Sequence, residues 1–201
     1  MVRLLVGWFG GRKERDDDVA LDFGDLRLRL PAARDYERWA ELRSRSRAFL
    51  QPWEPNWPAD DLTPEAFKRR LARYREEREA DMAYPFFLER RSDGELLGGV
   101  NLNNVRRRAA MSATLGYWMG AAHAGHGHMS AAVPAICAFA FGRLGLLRVE
   151  AACLPENAAS IRVLEKAGFQ REGYARGYLP IAGARRDHLL FALLASDRRP
   201  G

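Results

Sequence analysis

Two periods run through the hydrophobic positions of this chain. Residues 26–30 alternate leucine with arginine, the period of a half-buried strand, and Pro31 ends the run. Residues 35–42 carry Tyr36, Trp39 and Leu42 at helical spacing, with Asp35 placed to cap them. Residues 63–80 predict a charged helix: Thr63 caps it, Pro64 fits its first turn, and Glu65 faces Arg69 one turn on. Residues 84–90 and 95–102 predict a hairpin turning at Ser92, Asp93 and Gly94. Arg106 to Arg108 mark the next turn, and residues 113–119 the next strand. Residues 129–144 predict the central helix, with Met129, Val133, Ile136, Cys137, Ala140 and Leu144 on one stripe and Gly145 as the stop. A buried strand over 147–153 follows, then a short helix over 157–167 closed by Gly168. Two antiparallel strands over 169–178 and 186–194 complete the pattern. The segment FLQPWEPNWP, residues 49–58, breaks both periods. Its three prolines and two tryptophans exclude a regular helix or a central strand. Such a loop packs on the core as a lid or lines a site.

Composition narrows the class. The 201 residues are 47% hydrophobic and 29% charged, which fits a soluble globular protein with a real core. With no repeat or low-complexity linker, residues 21–201 are expected to form one domain behind an irregular lead-in over 1–20. The apolar run 2–9 is interrupted by Arg3 and Gly7 and is too short to span a bilayer, and no small-residue cleavage site follows it. Residues 12–18 are a charge run of the kind that forms a solvated tail. Cys137 and Cys153 sit far apart in apolar segments and read as buried free thiols, as in a reducing, cytoplasmic setting. A net charge of +6 favours anionic partners without choosing between a phosphorylated co-substrate, an acidic protein surface and a weak RNA contact.

The chemistry concentrates in residues 113–130, ATLGYWMGAAHAGHGHMS. A strand passes through a glycine-punctuated turn into a helix start. Successive main-chain amides and the positive end of a helix make an anion seat there. A second strand, 147–153, is followed by PENAASIRVLEKAGF, whose Asn157 caps another helix. Two parallel strands each followed by such a helix place both N-termini at one carboxyl edge of the sheet, where ligands bind. A metal site over His123, His126 and His128 is the weaker reading, because zinc needs four protein ligands, or three with oriented partners.

These stretches, GYWMGAAHAGHGHMSAAV followed by PENAASIRVLEKAGFQREG, resemble the GNAT superfamily of acetyl-CoA-dependent N-acetyltransferases over roughly residues 26–194. The FLQPWEP loop, the EGYARGYL strand and the RDH strand are similar to those of the bacterial ribosomal-protein-alanine N-acetyltransferases. The resemblance implies an α+β fold with a mixed, mostly antiparallel sheet of about seven strands flanked by helices, and a splayed parallel pair at its centre. It implies a diphosphate loop over Ala124, Gly125, His126, Gly127, His128, Met129 and Ser130. Ala124 stands where the family carries Arg or Gln, so recognition falls to main-chain amides. Tyr117, Trp118 and Met119 would pair with the pantetheine arm as an added strand, and an amide near Trp118 or Met119 would hold the thioester oxygen. Asn157 would bond the pantetheine. The family's proton-donating tyrosine is replaced by Leu164, leaving Ser160 as the expected acid. Glu54 is the expected base or ammonium anchor, with Trp53 and Tyr178 as walls of the acceptor slot.

The expected reaction is direct attack of an amine on acetyl-CoA, with no metal. The acceptor expected is the N-terminal α-amine, alanine, of a ribosomal protein. An antibiotic or polyamine acceptor is the rival, as is a GNAT fold without catalysis that attaches to ribosomes or RNA. No membrane association is expected, and monomer and homodimer stay open.

Overall fold

The computed structural model describes residues 19–197. Among the described residues eight strands form one sheet: β1 (Ala20–Phe23), β2 (Leu26–Arg29), β3 (Tyr84–Arg90), β4 (Leu96–Arg106), β5 (Ser112–Met119), β6 (Arg148–Cys153), β7 (Gln170–Ile181) and β8 (Ala184–Leu194). Their order across the sheet is β1-β2-β3-β4-β5-β6-β8-β7. Only β5 and β6 are parallel; every other neighbouring pair is antiparallel. The strand beyond the expected seven is β1, a short hairpin arm that turns back at Gly24 with φ +58°. The lead-in expected over 1–20 therefore stops short, since Val19 is buried and Ala20 opens β1. The apolar run and the charge run within residues 1–18 lie outside the described residues.

Helices cover both faces. α4 (His128–Gly142) and α5 (Ala158–Lys166) pack on one face, with Val133, Ile136, Cys137, Ala140 and Leu164 in a core shared with Phe86, Leu88, Val100 and Val149. α1 (Tyr36–Arg45), the single turn α2 (Arg47–Leu50) and α3 (Pro64–Glu79) lie on the other, where Trp39 and Phe67 meet Phe87 and Leu96. This double cover explains why β3 and β4 read as near-continuous apolar runs rather than alternating ones. Strand alternation sends Tyr117 and Met119 of β5 toward the α4–α5 side and Trp118 to the α1–α3 side.

Several local expectations change. Asp35 does not cap α1 with its side chain; the buried carboxylate accepts from both Arg29 Nη atoms at 2.7 Å, from Arg38 and from the Ala32 amide. Arg69 pairs with Asp60 rather than with Glu65. The proline-rich segment is not all loop, because α2 ends at Leu50 and a 3-10 turn follows over Gln51–Trp53. Arg106 ends β4 instead of opening a turn, and it bonds Ser112 and Glu150. α4 stops at Gly142, two residues before the expected Leu144, and the Leu146 amide folds back onto Ala140 O at 2.9 Å through Gly145 at φ +64°. α4 also carries Pro134 within it, which leaves the Ser130 carbonyl without its usual helical donor. Both cysteines are buried and free. No described helix is long and apolar enough to cross a membrane.

Candidate functional site

The parallel pairing of β5 and β6 runs from Ser112↔Arg148 to Leu115↔Ala151 and stops. β5 continues through Gly116, Tyr117, Trp118 and Met119, held only by β4, while Ala152 and Cys153 of β6 stay with β8. The strands thus part into a wedge. Glycines on β4 draw β5 away: a Cβ on Gly98 would stand 2.3 Å from Trp118 O, and one on Gly99 would stand 2.5 Å from the Trp118 indole nitrogen. The Gly120 amide donates to Leu97 O at 2.8 Å. Antiparallel alternation then turns the main-chain groups of Trp118 and Gly116 toward β4. Those of Tyr117 and Met119 face the wedge, so of Trp118 and Met119 it is the Met119 amide that is turned into it.

At the mouth of the wedge, a 3-10 turn over Ala121–His123 leads through Ala124, Gly125, His126 and Gly127 into α4. Gly125 and Gly127 both have φ of +81°, a conformation that L side chains resist. Gly127 is the N-cap and no side chain caps the helix. The first amide to bond back is that of Ala131, to Gly127 O at 3.1 Å. The amides of His128, Met129 and Ser130 are consequently open to a ligand. The Met129 side chain is buried in the core and leaves this seat uncovered. The turn is anchored from α1 and α2: Ser46 Oγ accepts from the Ala121 amide at 2.9 Å, and Leu42 lies against Gly120. His126 and His128 stack at 5.9 Å. Burial, then His126, Arg90 and His123, hold the His128 imidazole below its usual pKa, so it is a poor source of positive charge. Among the described residues no three metal-ligating side chains gather.

Across the wedge, Asn157 Oδ1 accepts from the Ser160 amide at 3.0 Å and caps α5, leaving its amide nitrogen as a donor. Ser160 Oγ stands 2.7 Å from the Tyr117 hydroxyl. Burial pushes the Tyr117 phenol far above its ordinary range, with the Ser160 hydrogen bond opposing it more weakly. Burial also pushes the Cys153 thiol up, again against a hydrogen bond from Ser160. Leu164, one turn on, is buried in the core and faces away from this chemistry.

On the opposite face, the aromatic loop is pinned by a residue that sequence reasoning missed. Arg43 donates to both Glu54 oxygens, at 2.8 and 2.7 Å, and its guanidinium lies 4.1 Å from the Trp57 ring centroid and 5.0 Å from that of Trp118. The Trp57 indole also donates to Glu54 Oε2 at 2.7 Å. The readable sign was position: Arg43 falls one turn after Trp39 on the buried stripe of α1. The Ala182 amide donates to Glu54 O at 3.0 Å, which ties the β7–β8 turn to the loop. Between them lies a groove of about 550 Å³, lined by Trp53, Asn56, Ala182 and the paired Glu156 and Arg186. Trp53 and Glu54 are thus together, and Trp118 joins them rather than the wedge. Tyr178 is not a wall of this groove; its ring packs on His188 at 5.5 Å from a bulged part of β7.

The family model for the acetyltransferase (GNAT) domain matches residues 25–170. Among known proteins, the chain is 34% identical over 191 residues to the ribosomal protein uS5-alanine N-acetyltransferase of Escherichia coli (strain K12), covering 95% of this chain and 98% of that one. It is 39% identical over 163 residues to the probable N-acetyltransferase YjcK of Bacillus subtilis (strain 168), covering 81% and 90%. Among solved structures, it is similar to the ribosomal-protein-S5-alanine acetyltransferase of Vibrio fischeri, with a TM-score of 0.83 at 32% identity, covering 91% and 100%. It is also similar to Mycobacterium smegmatis RimJ in complex with CoA-disulfide, with a TM-score of 0.82 at 33% identity, covering 87% and 85%.

Proposed function

The chain belongs to the GNAT acetyltransferase family, and from that membership we propose that it moves the acetyl group of acetyl-CoA to the N-terminal α-amine, alanine, of a ribosomal protein. The observation that carries the reading is the wedge: free main-chain groups on Tyr117 and Met119, an uncapped helix start at its mouth, and a proton donor on its far wall. Similarity along nearly the whole chain to a relative named a ribosomal protein uS5-alanine N-acetyltransferase supports the acceptor.

The site fits acetyl-CoA. Gly125 and Gly127 present the amides of His128, Met129 and Ser130 to a diphosphate, and the side chain of Met129 is turned away. The edge groups of Tyr117 and Met119 hold an extended amide-bearing arm as a neighbouring strand would, with the Asn157 amide nitrogen as a further donor. Acetyl-CoA supplies the activated acetyl group as a thioester. The Met119 amide would polarise its oxygen, and Ser160 Oγ would give the departing sulfur its proton while regaining one from solvent, which takes up the proton lost by the acceptor amine.

The acceptor enters from the groove beside Trp53. An α-amine is roughly 10–20% neutral at pH 7, whereas a lysine side chain is neutral at well under about 0.1%, so an N-terminus needs little help from a base. Glu54 is committed to Arg43 and Trp57, and Oε1 keeps one lone-pair site. That site holds the acceptor ammonium, or a water that accepts its proton.

The test is intact-mass analysis of candidate ribosomal proteins with enzyme and acetyl-CoA. A 42 Da gain (about one acetyl group) on the N-terminal residue of an alanine-starting protein is expected. Acetylation of polyamines or aminoglycosides alone would replace the acceptor assigned here.

A further inference from the structure

We propose that Tyr117 is a positioning residue for the proton donor: its phenol donates to Ser160 Oγ and thereby aims the serine's own proton into the wedge. The inference rests on the role given to Ser160 above and extends it to a residue of the opposite strand.

Register locates the pair. Had β5 and β6 stayed paired past Leu115↔Ala151, Tyr117 would face Cys153. Instead the α5 first turn brings Ser160 to the Tyr117 hydroxyl, at 2.7 Å. The helix cap fixes the serine main chain through Asn157, but a first-turn serine is free to rotate its hydroxyl back onto nearby carbonyls. The phenol removes that freedom.

Either hydroxyl can donate in the short contact, and the phenol is assigned as donor because a phenol is a stronger hydrogen-bond donor than an aliphatic alcohol. Each hydroxyl has one hydrogen and accepts through its lone pairs. If Ser160 donated to Tyr117, the phenol hydrogen would be left with the Ser160 carbonyl, 3.3 Å away and at the start of the α5 ladder. With the phenol as donor, its proton takes the short contact. The serine proton is left for the sulfur side, where the Cys153 thiol is a weak acceptor that gives way readily to a thiolate. Burial keeps the phenol protonated throughout the working range, so Tyr117 stays a donor and does not itself become the acid.

The experiment is a double-mutant cycle on Tyr117→Phe and Ser160→Ala. CoA release from acetyl-CoA is followed both with an N-terminal-alanine peptide and with water as the only acceptor, so the reading does not depend on the acceptor. We expect Tyr117→Phe to lower kcat about tenfold, within the range of general-acid effects, with the KM for acetyl-CoA moved less than about twofold. In the Ser160→Ala background the same change should do nothing further. Ser160→Thr, which keeps a hydroxyl, should restore the dependence on Tyr117. Additive losses, or a loss confined to KM, would show that Tyr117 only packs, and so would an unchanged kcat. If Ser160→Ala alone leaves kcat unchanged, the serine role fails first and takes this inference with it.

Discussion

Replacing Arg43 with Lys should separate acceptor binding from co-substrate binding. The change keeps the charge but removes the planar fork. Arg43 holds both Glu54 oxygens, and the two side chains are only 9% and 21% exposed. Lysine can satisfy one oxygen at a time, and losing one charge-assisted bond costs about 1.5–3 kcal/mol in a buried setting. Partial exposure of Glu54 puts the loss at the low end. The stack over Trp57 and Trp118 contributes a further ~0.5 kcal/mol or more. A total near 2 kcal/mol corresponds to roughly 30-fold at 1.36 kcal/mol per decade. The loss falls on the aromatic loop, which walls the groove. The turn before α4 is held separately, by Ser46 and Leu42. Steady-state kinetics with an alanine-starting peptide should therefore show acceptor kcat/KM reduced by up to roughly 30-fold. Acetyl-CoA binding by calorimetry should move less than about twofold. A parallel fall in acetyl-CoA affinity would show that the loop and the anion seat are one unit. An unchanged acceptor KM would show that the loop does not touch the acceptor.

Two further outcomes test the frame. Gly127→Ala adds a Cβ into open space but forces an L residue to φ +81°, so the cost is conformational, about 1–2 kcal/mol; calorimetry should show weaker acetyl-CoA binding, while a wild-type dissociation constant would dismiss the amide seat. For Asp35→Asn, breaking a buried ion pair costs about 3 kcal/mol, which is about 6–12 °C in Tm for a chain of this size. Burial raises the Asp35 carboxyl, but the Arg29 fork, the Ala32 amide and Arg38 outweigh it and hold its pKa below the ordinary 3.8. A depressed folded-state pKa stabilises above the unfolded value and loses that contribution as pH falls through the folded one. The stability gap between wild type and variant should accordingly be full at pH 6 and shrink below about pH 4; a gap independent of pH in chemical denaturation would contradict the ion-pair account.

What was legible in the sequence was what depends on neighbours along the chain. The period of residues 129–144 gave α4, and Thr63 and Asn157 marked helix starts that the structure caps with those side chains. The glycines at 125 and 127 marked the turn, and both take the left-handed conformation that only glycine adopts freely. What escaped depends on partners far away in sequence. Local spacing points to Asp35 as a cap, yet Arg29 of the preceding strand offers two charge-assisted bonds against the single one a cap would give. Arg43 carries no local motif, and its meaning lies in Glu54, Trp57 and Trp118 together. The short β1 has too few residues to show a period, and only its pairing with β2 defines it.

The candidate site follows from one property of a strand, that successive residues face opposite ways. Along the free half of β5, Tyr117 meets the α5 side, where Ser160 lies, and Trp118 meets the α1 side, where Arg43 holds the aromatic loop. Met119 returns to the first side with its main chain turned into the wedge. On the function proposed above, three consecutive positions would divide the labour: Tyr117 positions the proton donor, Trp118 backs the Arg43 contact to the aromatic loop, and the Met119 amide binds the thioester oxygen. A one-residue slip of β5 against β4 would exchange these faces and point the Trp118 amide into the wedge instead. Gly98 and Gly99 guard against that slip, since only glycine at those places lets the Trp118 carbonyl and indole approach so closely. Alanine at either glycine should therefore damage catalysis and acceptor binding together, through the Trp118 carbonyl and indole that it would displace.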